Sequence, residues 1–404
     1  MQKNLEHSMK IGILTLHSQI NYGGVLQAYA MQKTLKDMGH DAVIIDHWLT
    51  PDNEPLKGPI GKPFLQKIKY VIYAFLGIGT FSCFRRHHKT IHFIQTRLKL
   101  SKFHFYNWSD IKPEIYQDLD CIIVGSDQVW HACSENSLAP YLLEGEKNIP
   151  AISYAASIGM KNIPDQFIKC IQKGLVNFSN ISVREKAAKE QVEALGFQAE
   201  HVVDPTLLVS PKAWDSLSGI KREKRLFCYF LEDDLLDIYP ELEEYAKKTS
   251  SKIDIFLKVP YQVAFPVTWY KLKKWGNFQW IKFFRNSNIR IHSGAGPAEF
   301  VYYASLATDA ISDSFHALMF STIFDLNIRI LRPQKAIRQF MFSRIEEFTE
   351  CVSKGTLIVN NLHDALESIR KDPVIIFDAE KIRKKREQSK NWLLEALQGL
   401  NNKK

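Results

Sequence analysis

What most constrains this chain is its alternation of short, β-rich apolar runs with longer amphipathic stretches. "IGILTL" (11–16) leads into a loop with Gly23 and Gly24, a helical pattern through Met38, a stop at Gly39, and a second run, "DAVIID" (41–46). The cadence returns at "DCIIVGS" (120–126), "AISYAAS" (151–157), "NISVRE" (180–185) and "AEHVVDP" (199–205), with helical patterns near 164–178 and 185–195. Short apolar runs of this kind are strands buried on both faces, and helices between them make crossovers. The pattern predicts α/β architecture with a mostly parallel, doubly wound sheet.

A second unit repeats that cadence after "LLVSPKAW" without sequence self-similarity. It runs through "RLFCYFL" (225–231), a helix near 238–249, "KIDIFLKV" (252–259), a helix at 297–306, "DAISDS" (309–314), a helix from His316, and "IRILRP" (328–333). With 404 residues there is chain enough for two cores. The expectation is two Rossmann-like domains, 9–210 and 211–375, with ligands in the crevice at the strand C-termini. Residues 58–110, helical, aromatic and basic, read as an insertion in the first domain. Residues 376–404 read as a basic amphipathic helix packing across the domains.

A net charge of +9 favours an anionic partner. Six scattered cysteines with no C-x-x-C pair read as reduced, intracellular and metal-free. The start, "MQKNLEHSMKIGILTL", lacks the long apolar region of a secretory signal, and its first eight residues read as a disordered leader. The apolar stretch 70–84, flanked by Lys67, Lys69, Arg85 and Arg86, is too short to cross a bilayer. It suits either a membrane surface or a buried helix. In 268–285, Trp269, Trp275, Trp280, Phe283 and Phe284 interleave with five lysines and arginines. That mixture suits a membrane interface or a sugar platform, and no nucleic-acid module accompanies it.

Candidate chemistry lies where loops follow strands. "NYGGVLQAY" is not a dinucleotide fingerprint, but Gly23 and Gly24 let backbone N–H groups approach a ligand, and Asn21 and Gln27 carry amides suited to hydroxyls. In "VGSDQVW", Asp127 could take a proton from an attacking hydroxyl and Trp130 could stack on a sugar; the plainer readings are a helix cap and a core tryptophan. Arg184 in "SVRE" fits bidentate carboxylate or phosphate recognition, or an ordinary pair with Glu185. Asp204 before Pro205 reads as a turn or cap. Lys335 follows a strand, or is simply solvated. In "SDSFHALMF", His316 opens an apolar helix, where backbone N–H groups favour an anion.

In their joint order, "NYGGVLQAYA", "IIVGSDQVW", "SYAASIG", "SVREK", "VVDPTLLV" and "GPAEFVYYASLATDAISDSFHALMFSTIF" resemble the polysaccharide pyruvyl transferase family over roughly residues 9–345. The resemblance implies a fold like the two-domain GT-B glycosyltransferases and transfer of a pyruvyl group from phosphoenolpyruvate to a hexose as a cyclic ketal. It implies no cofactor and no metal, phosphoenolpyruvate being the donor substrate. Arg184, His316 and Lys335 match donor-binding positions. Ser314 stands where many members have arginine, so donor charge recognition there differs.

On that basis His316 is expected to protonate the donor, with Asp127 as base. Asn21, Tyr22, Gly23, Gly24, Gln27, Ser126, Asp127 and Trp130 are expected to face the acceptor. The expected acceptor is a galactose-like residue of a capsule or exopolysaccharide precursor, carried on polyprenyl diphosphate. The expected location is cytoplasmic, peripheral on the inner face of the plasma membrane against anionic lipid. Rival readings are a nucleotide-sugar glycosyltransferase, with "GPAEF" at the diphosphate, and a non-catalytic carbohydrate-binding assembly subunit.

Overall fold

A computed structural model describes residues 8–18, 21–48, 80–106, 116–132, 134–145, 149–214, 216–217, 221–232, 235–257, 287–355, 357–371 and 377–401. The aromatic-basic segment 268–285 and residues 70–79 of the apolar stretch lie outside the described residues.

Seven strands form the first sheet: β1 (Lys10–Leu14), β2 (Asp41–His47), β3 (Leu100–Phe105), β4 (Cys121–Val124), β5 (Ala151–Ala156), β6 (Asn180–Val183) and β7 (Glu200–His201). Their spatial order is β3-β2-β1-β4-β5-β6-β7 and every pairing is parallel. The second sheet contains β8 (Arg225–Phe230), β9 (Lys252–Leu257), β10 (Ile289–Ile291), β11 (Asp309–Ser312), β12 (Asn327–Leu331) and β13 (Ile358–Val359). Its order, β10-β9-β8-β11-β12-β13, is again wholly parallel. In each sheet the order reverses beside the first strand, between β1 and β4 and between β8 and β11. Those switch points open a crevice at the strand C-termini.

The central strands are buried throughout, as their unbroken apolar runs require. Helix α1 (Tyr22–Asp37) ends where Gly39 takes a left-handed φ of 92°, and the Gly39 N–H returns to the Lys36 carbonyl. The insertion expected at 58–110 needs correction. Within that span strand β3 belongs to the sheet, pairing along β2, and helix α2 (Thr80–Arg97) leads into it. Strand β3 exposes Lys102, Phe103 and His104, so it lacks the apolar run that announces a buried strand.

Two units share one core. Tyr22 of α1 stacks on Phe300 of α7 (Pro297–Leu306) at 4.7 Å, and Trp214 packs edge-on to Phe320 of α8 (Phe315–Ile323) at 5.1 Å. Each such ring pair adds about 0.5–1.5 kcal/mol beyond the area it buries. Further helices are α3 (Asp165–Leu175), α4 (Lys186–Ala194), α5 (Pro205–Leu208), α6 (Leu235–Thr249), α9 (Ala336–Phe340), α10 (Ser343–Val352), α11 (Leu362–Lys371) and α12 (Ala379–Asn401). Helix α12 crosses both units: Leu393, Leu397 and Leu400 are buried, Trp392 lies against Tyr154, and the Val203 N–H donates to Ser389 Oγ.

Candidate active site

At the two switch points the turns after β1, β4, β6 and β11 converge. Asn21 caps α1, its Oδ1 accepting from the Gly23 N–H at 3.1 Å. Gly23 and Gly24 must be small. A Cβ on Gly23 would overlap the His316 ring, and one on Gly24 would meet the Leu16 carbonyl and come within 3.6 Å of Asp127 Oδ2. The glycine pair lets the start of α1 approach the start of α8, where Ser314 is the N-cap residue and His316 lies in the first turn.

Asp127 follows β4 with a left-handed φ of 63°, a conformation that aspartate tolerates and most residues avoid. Its carbonyl accepts from the Val129 and Ser157 N–H groups, which pins the turn. Its carboxylate Oδ1 faces Arg184 Nη2 at 3.4 Å. Arg184, at the end of β6, is also bound by Asp204 Oδ2 through Nη1 at 2.9 Å and by Glu185 Oε1 through Nε at 3.3 Å. The guanidinium lies 4.4 Å over the Phe315 ring. Burial disfavours its charge, but Glu185, Asp127 and Asp204 outweigh that and raise its pKa further above the ordinary arginine value. Removing one partner from so buried a cluster costs about 3–5 kcal/mol.

Asp204 is the hub. Oδ1 accepts from Thr206 N–H at 3.0 Å and Thr206 Oγ1 at 2.7 Å, which caps α5, while Oδ2 accepts from Arg184 and from Ser126 Oγ at 3.3 Å. Burial opposes its charge, yet His316, Arg184 and the Thr206 bonds hold the carboxyl below the ordinary range. His316 Nε2 points at Asp204 Oδ2 from 3.8 Å, beyond hydrogen-bond reach, and is buried without a partner among the described residues. Burial lowers the His316 pKa despite the carboxylates of Asp204 and Asp127, which favours the neutral imidazole.

Several expected site residues are placed elsewhere. Trp130 is fully buried, donating from Nε1 to the Tyr141 carbonyl at 2.9 Å and packing on Phe178; it is core, not a sugar platform. Gln27 is fully buried and spends its amide on Thr15 Oγ1, the Gly24 carbonyl and the Ser126 N–H, shaping the turn instead of facing an acceptor. Tyr22 is buried in the aromatic core, donating to the Ala295 carbonyl at 2.9 Å, with Arg86 over its ring. Lys335 is exposed at the start of α9, its N–H directed at Glu232, and no described contact joins its side chain to the cluster. Asp204, and Arg344 and Glu347, which line a cleft beside Arg184, carry no sequence signal of this juxtaposition. Asp-Pro signals only a cap, and the α10 pair sits in the ordinary amphipathic stretch "SRIEEF".

Residues 21–326 match the family model of polysaccharide pyruvyl transferase, and the matched span holds Asp127, Arg184, Asp204 and His316. The chain belongs to the polysaccharide pyruvyl transferase family. No curated protein matches it. Among solved structures, UDP-N-acetylglucosamine 2-epimerase from Rickettsia bellii superposes with a TM-score of 0.53 at 10% identity, over 98% of this chain and 98% of that one. UDP-GlcNAc 2-epimerase from Neisseria meningitidis, bound to UDP-GlcNAc, gives 0.52 at 12% identity over 97% and 100%. Likeness at such identity speaks for the fold alone, two Rossmann-like units in the GT-B arrangement. Membership makes this chain a transferase of polysaccharide biosynthesis. Among its described residues no helix is long and apolar enough to cross a membrane.

Proposed function

We propose that this family member moves the pyruvyl group of phosphoenolpyruvate onto two hydroxyls of a galactose-like residue, forming a cyclic ketal and releasing inorganic phosphate. The observation that carries the reading is His316. Among the described residues its Nε2 has no hydrogen-bond partner, and it is buried at a helix N-terminus beside the Arg184 cluster. A bound donor brings negative charge next to this imidazole and raises its pKa, so the group charges when the substrate arrives.

In the proposed sequence the imidazolium of His316 protonates C3 of the enol, leaving cationic character at C2. One sugar hydroxyl adds to C2 and gives its proton to Asp127, whose carboxylate Arg184 orients. The C2–O bond to phosphate then breaks, phosphate departs with the bonding electrons and takes the proton from Asp127, and the second hydroxyl closes the ketal, its proton returning to His316. Donor plus diol becomes ketal plus inorganic phosphate, so atoms and charge balance. An acceptor on polyprenyl diphosphate, reached at the inner membrane face, accords with the +9 charge.

The test is phosphate release from phosphoenolpyruvate with a panel of galactose and mannose acceptors, run beside His316→Ala. Acceptor-dependent release lost in the variant supports the reading. Release of nucleoside diphosphate from a nucleotide sugar, with none of phosphate, overturns it in favour of glycosyl transfer. Co-sedimentation with anionic liposomes tests the membrane placement separately, and absence from the pellet at low salt would remove it.

A further inference from the structure

One cleft opens beside the Arg184 cluster, between the ends of β6 and β7 and helices α10 and α12. Arg184, Asp204, Phe315, Arg344, Glu347 and Lys385 line it. The two arginines differ in a way that assigns them different work. The fork of Arg184 is filled by three carboxylates. Arg344 shares the same ring, its guanidinium 5.4 Å over Phe315, yet its Nε and Nη1 are buried without a hydrogen-bond partner among the described residues. Buried donors of a charged group are rarely left bare unless something outside the chain takes them.

One turn along α10 the chain supplies an anion of its own. Glu347 reaches across to the N-terminus of the nine-residue α4, where Oε2 accepts from the Lys186 N–H at 2.7 Å and Oε1 from the Ala187 N–H at 3.3 Å. A carboxylate therefore already occupies a helix-end anion position in this cleft. Among the described residues it makes no ion pair with Arg344. Lys385, half-buried on α12, adds a third cation to the lining.

We infer that this cleft is an oxyanion subsite, for a carboxylate or phosphate group, in which Arg344 is the recognition residue and Glu347 is a resident carboxylate that competes with the ligand. The inference deepens the proposed function and rests on it for the ligand's identity: the subsite would take one acidic group of phosphoenolpyruvate. Burial, and then the neighbouring Arg184 charge, push the Arg344 pKa down to about 10, which an arriving anion reverses. Burial pushes the Glu347 carboxyl up, so its own hold on a charge is weakened. The cation that sequence placed at Lys335 is then provided from α10.

The experiment is calorimetric titration of the full chain with inorganic phosphate, pyruvate and phosphoenolpyruvate, in the natural sequence and in Arg344→Gln, Arg344→Lys and Glu347→Gln. Arg344→Gln is expected to lose about ten- to hundredfold in affinity for whichever anion binds, the range of a charge-assisted hydrogen bond. Glu347→Gln, which keeps an acceptor for the α4 N–H groups but removes the charge, is expected to gain up to about fivefold. In turnover, Arg344→Gln should raise KM for the donor and leave KM for the acceptor alone. Phosphate binding that depends on Arg344, with no binding of phosphoenolpyruvate, supports the subsite and removes the donor reading. Phosphoenolpyruvate binding unchanged in Arg344→Gln overturns the subsite and leaves the donor reading standing. No binding of any of the three anions overturns both. Should Arg344→Gln fail to fold, Arg344→Lys decides: it keeps the charge without the fork, and unchanged affinity there overturns the proposal.

Discussion

At His316 two demands meet. The ring is packed against Gly23 in a buried seam, which favours the neutral imidazole, while the proposed chemistry needs its proton. The groups facing it are the carboxylates of Asp204 and Asp127 and the guanidiniums of Arg184 and Arg344. Burial dominates, so the free protein's imidazole titrates below the ordinary 6.5. In the proposed mechanism His316 acts in its protonated form, so kcat/KM should fall as pH rises through that depressed value. His316→Gln should lose roughly a hundredfold in rate and flatten this limb. A pH profile from 5 to 8 on both proteins checks it, and a limb that survives in the variant assigns the proton elsewhere. Gly23→Ala tests the seam from the other side. The added Cβ must displace the His316 ring. Turnover should drop at least about tenfold; full activity would show that the ring has room to move.

At the scale of elements, legibility followed burial. Strands buried on both faces announce themselves as apolar runs: β4, β5, β8, β9 and β11 lie inside runs readable in sequence, and β1 and β2 match theirs but for Lys10 and His47. Edge strand β3 and the short β10 and β13 do not, because an edge buries little side-chain surface. Helix α12 looked basic and amphipathic, and its buried leucines show what the apolar side is for: it ties α10 to α5. Leu397→Ala should cost about 2–5 kcal/mol, the worth of a fully buried leucine plus the cavity it leaves. Urea unfolding reads that directly. A loss below about 1 kcal/mol, within the range of surface substitutions, would mean that α12 is dispensable to the core.

For the molecule as a whole, the two sheets repeat one strand order and bring their switch points together. Neither half alone holds both His316 and the Arg184 cluster. The same burial that builds the seam makes the fold sensitive to acid. Burial, with a neighbouring His17 or Lys385 charge, holds His47 and His201 down to about 4, and His316 is also lowered. Between about 4 and 6.5 the unfolded chain binds protons that the folded one refuses, so stability rises with pH across that window and is lost on acidification. Each fully shifted group contributes up to about 1.4 kcal/mol per pH unit. Tm should therefore be clearly lower at pH 5 than at pH 7.5, and a flat Tm over that range would contradict it.

Sequence by itself determined the α/β class, the two-unit plan and the positions of His316, Arg184 and Asp127 at strand ends. Each of these is carried by local pattern: apolar runs, glycines after a strand, a polar triplet at a helix mouth. Only the tertiary structure decided which neighbours those residues have. Trp130, after β4, and Gln27, in the opening turns of α1, sit where ligand-facing residues do, yet both side chains are turned inward. Asp204 looked like a cap and is also the carboxylate that joins Arg184 to Ser126 and faces His316. Arg344 carries no local signal, because its meaning comes from a buried cleft formed by segments far apart in the chain. Periodicity reports which face of an element is buried; what lies across the gap is set by packing between elements.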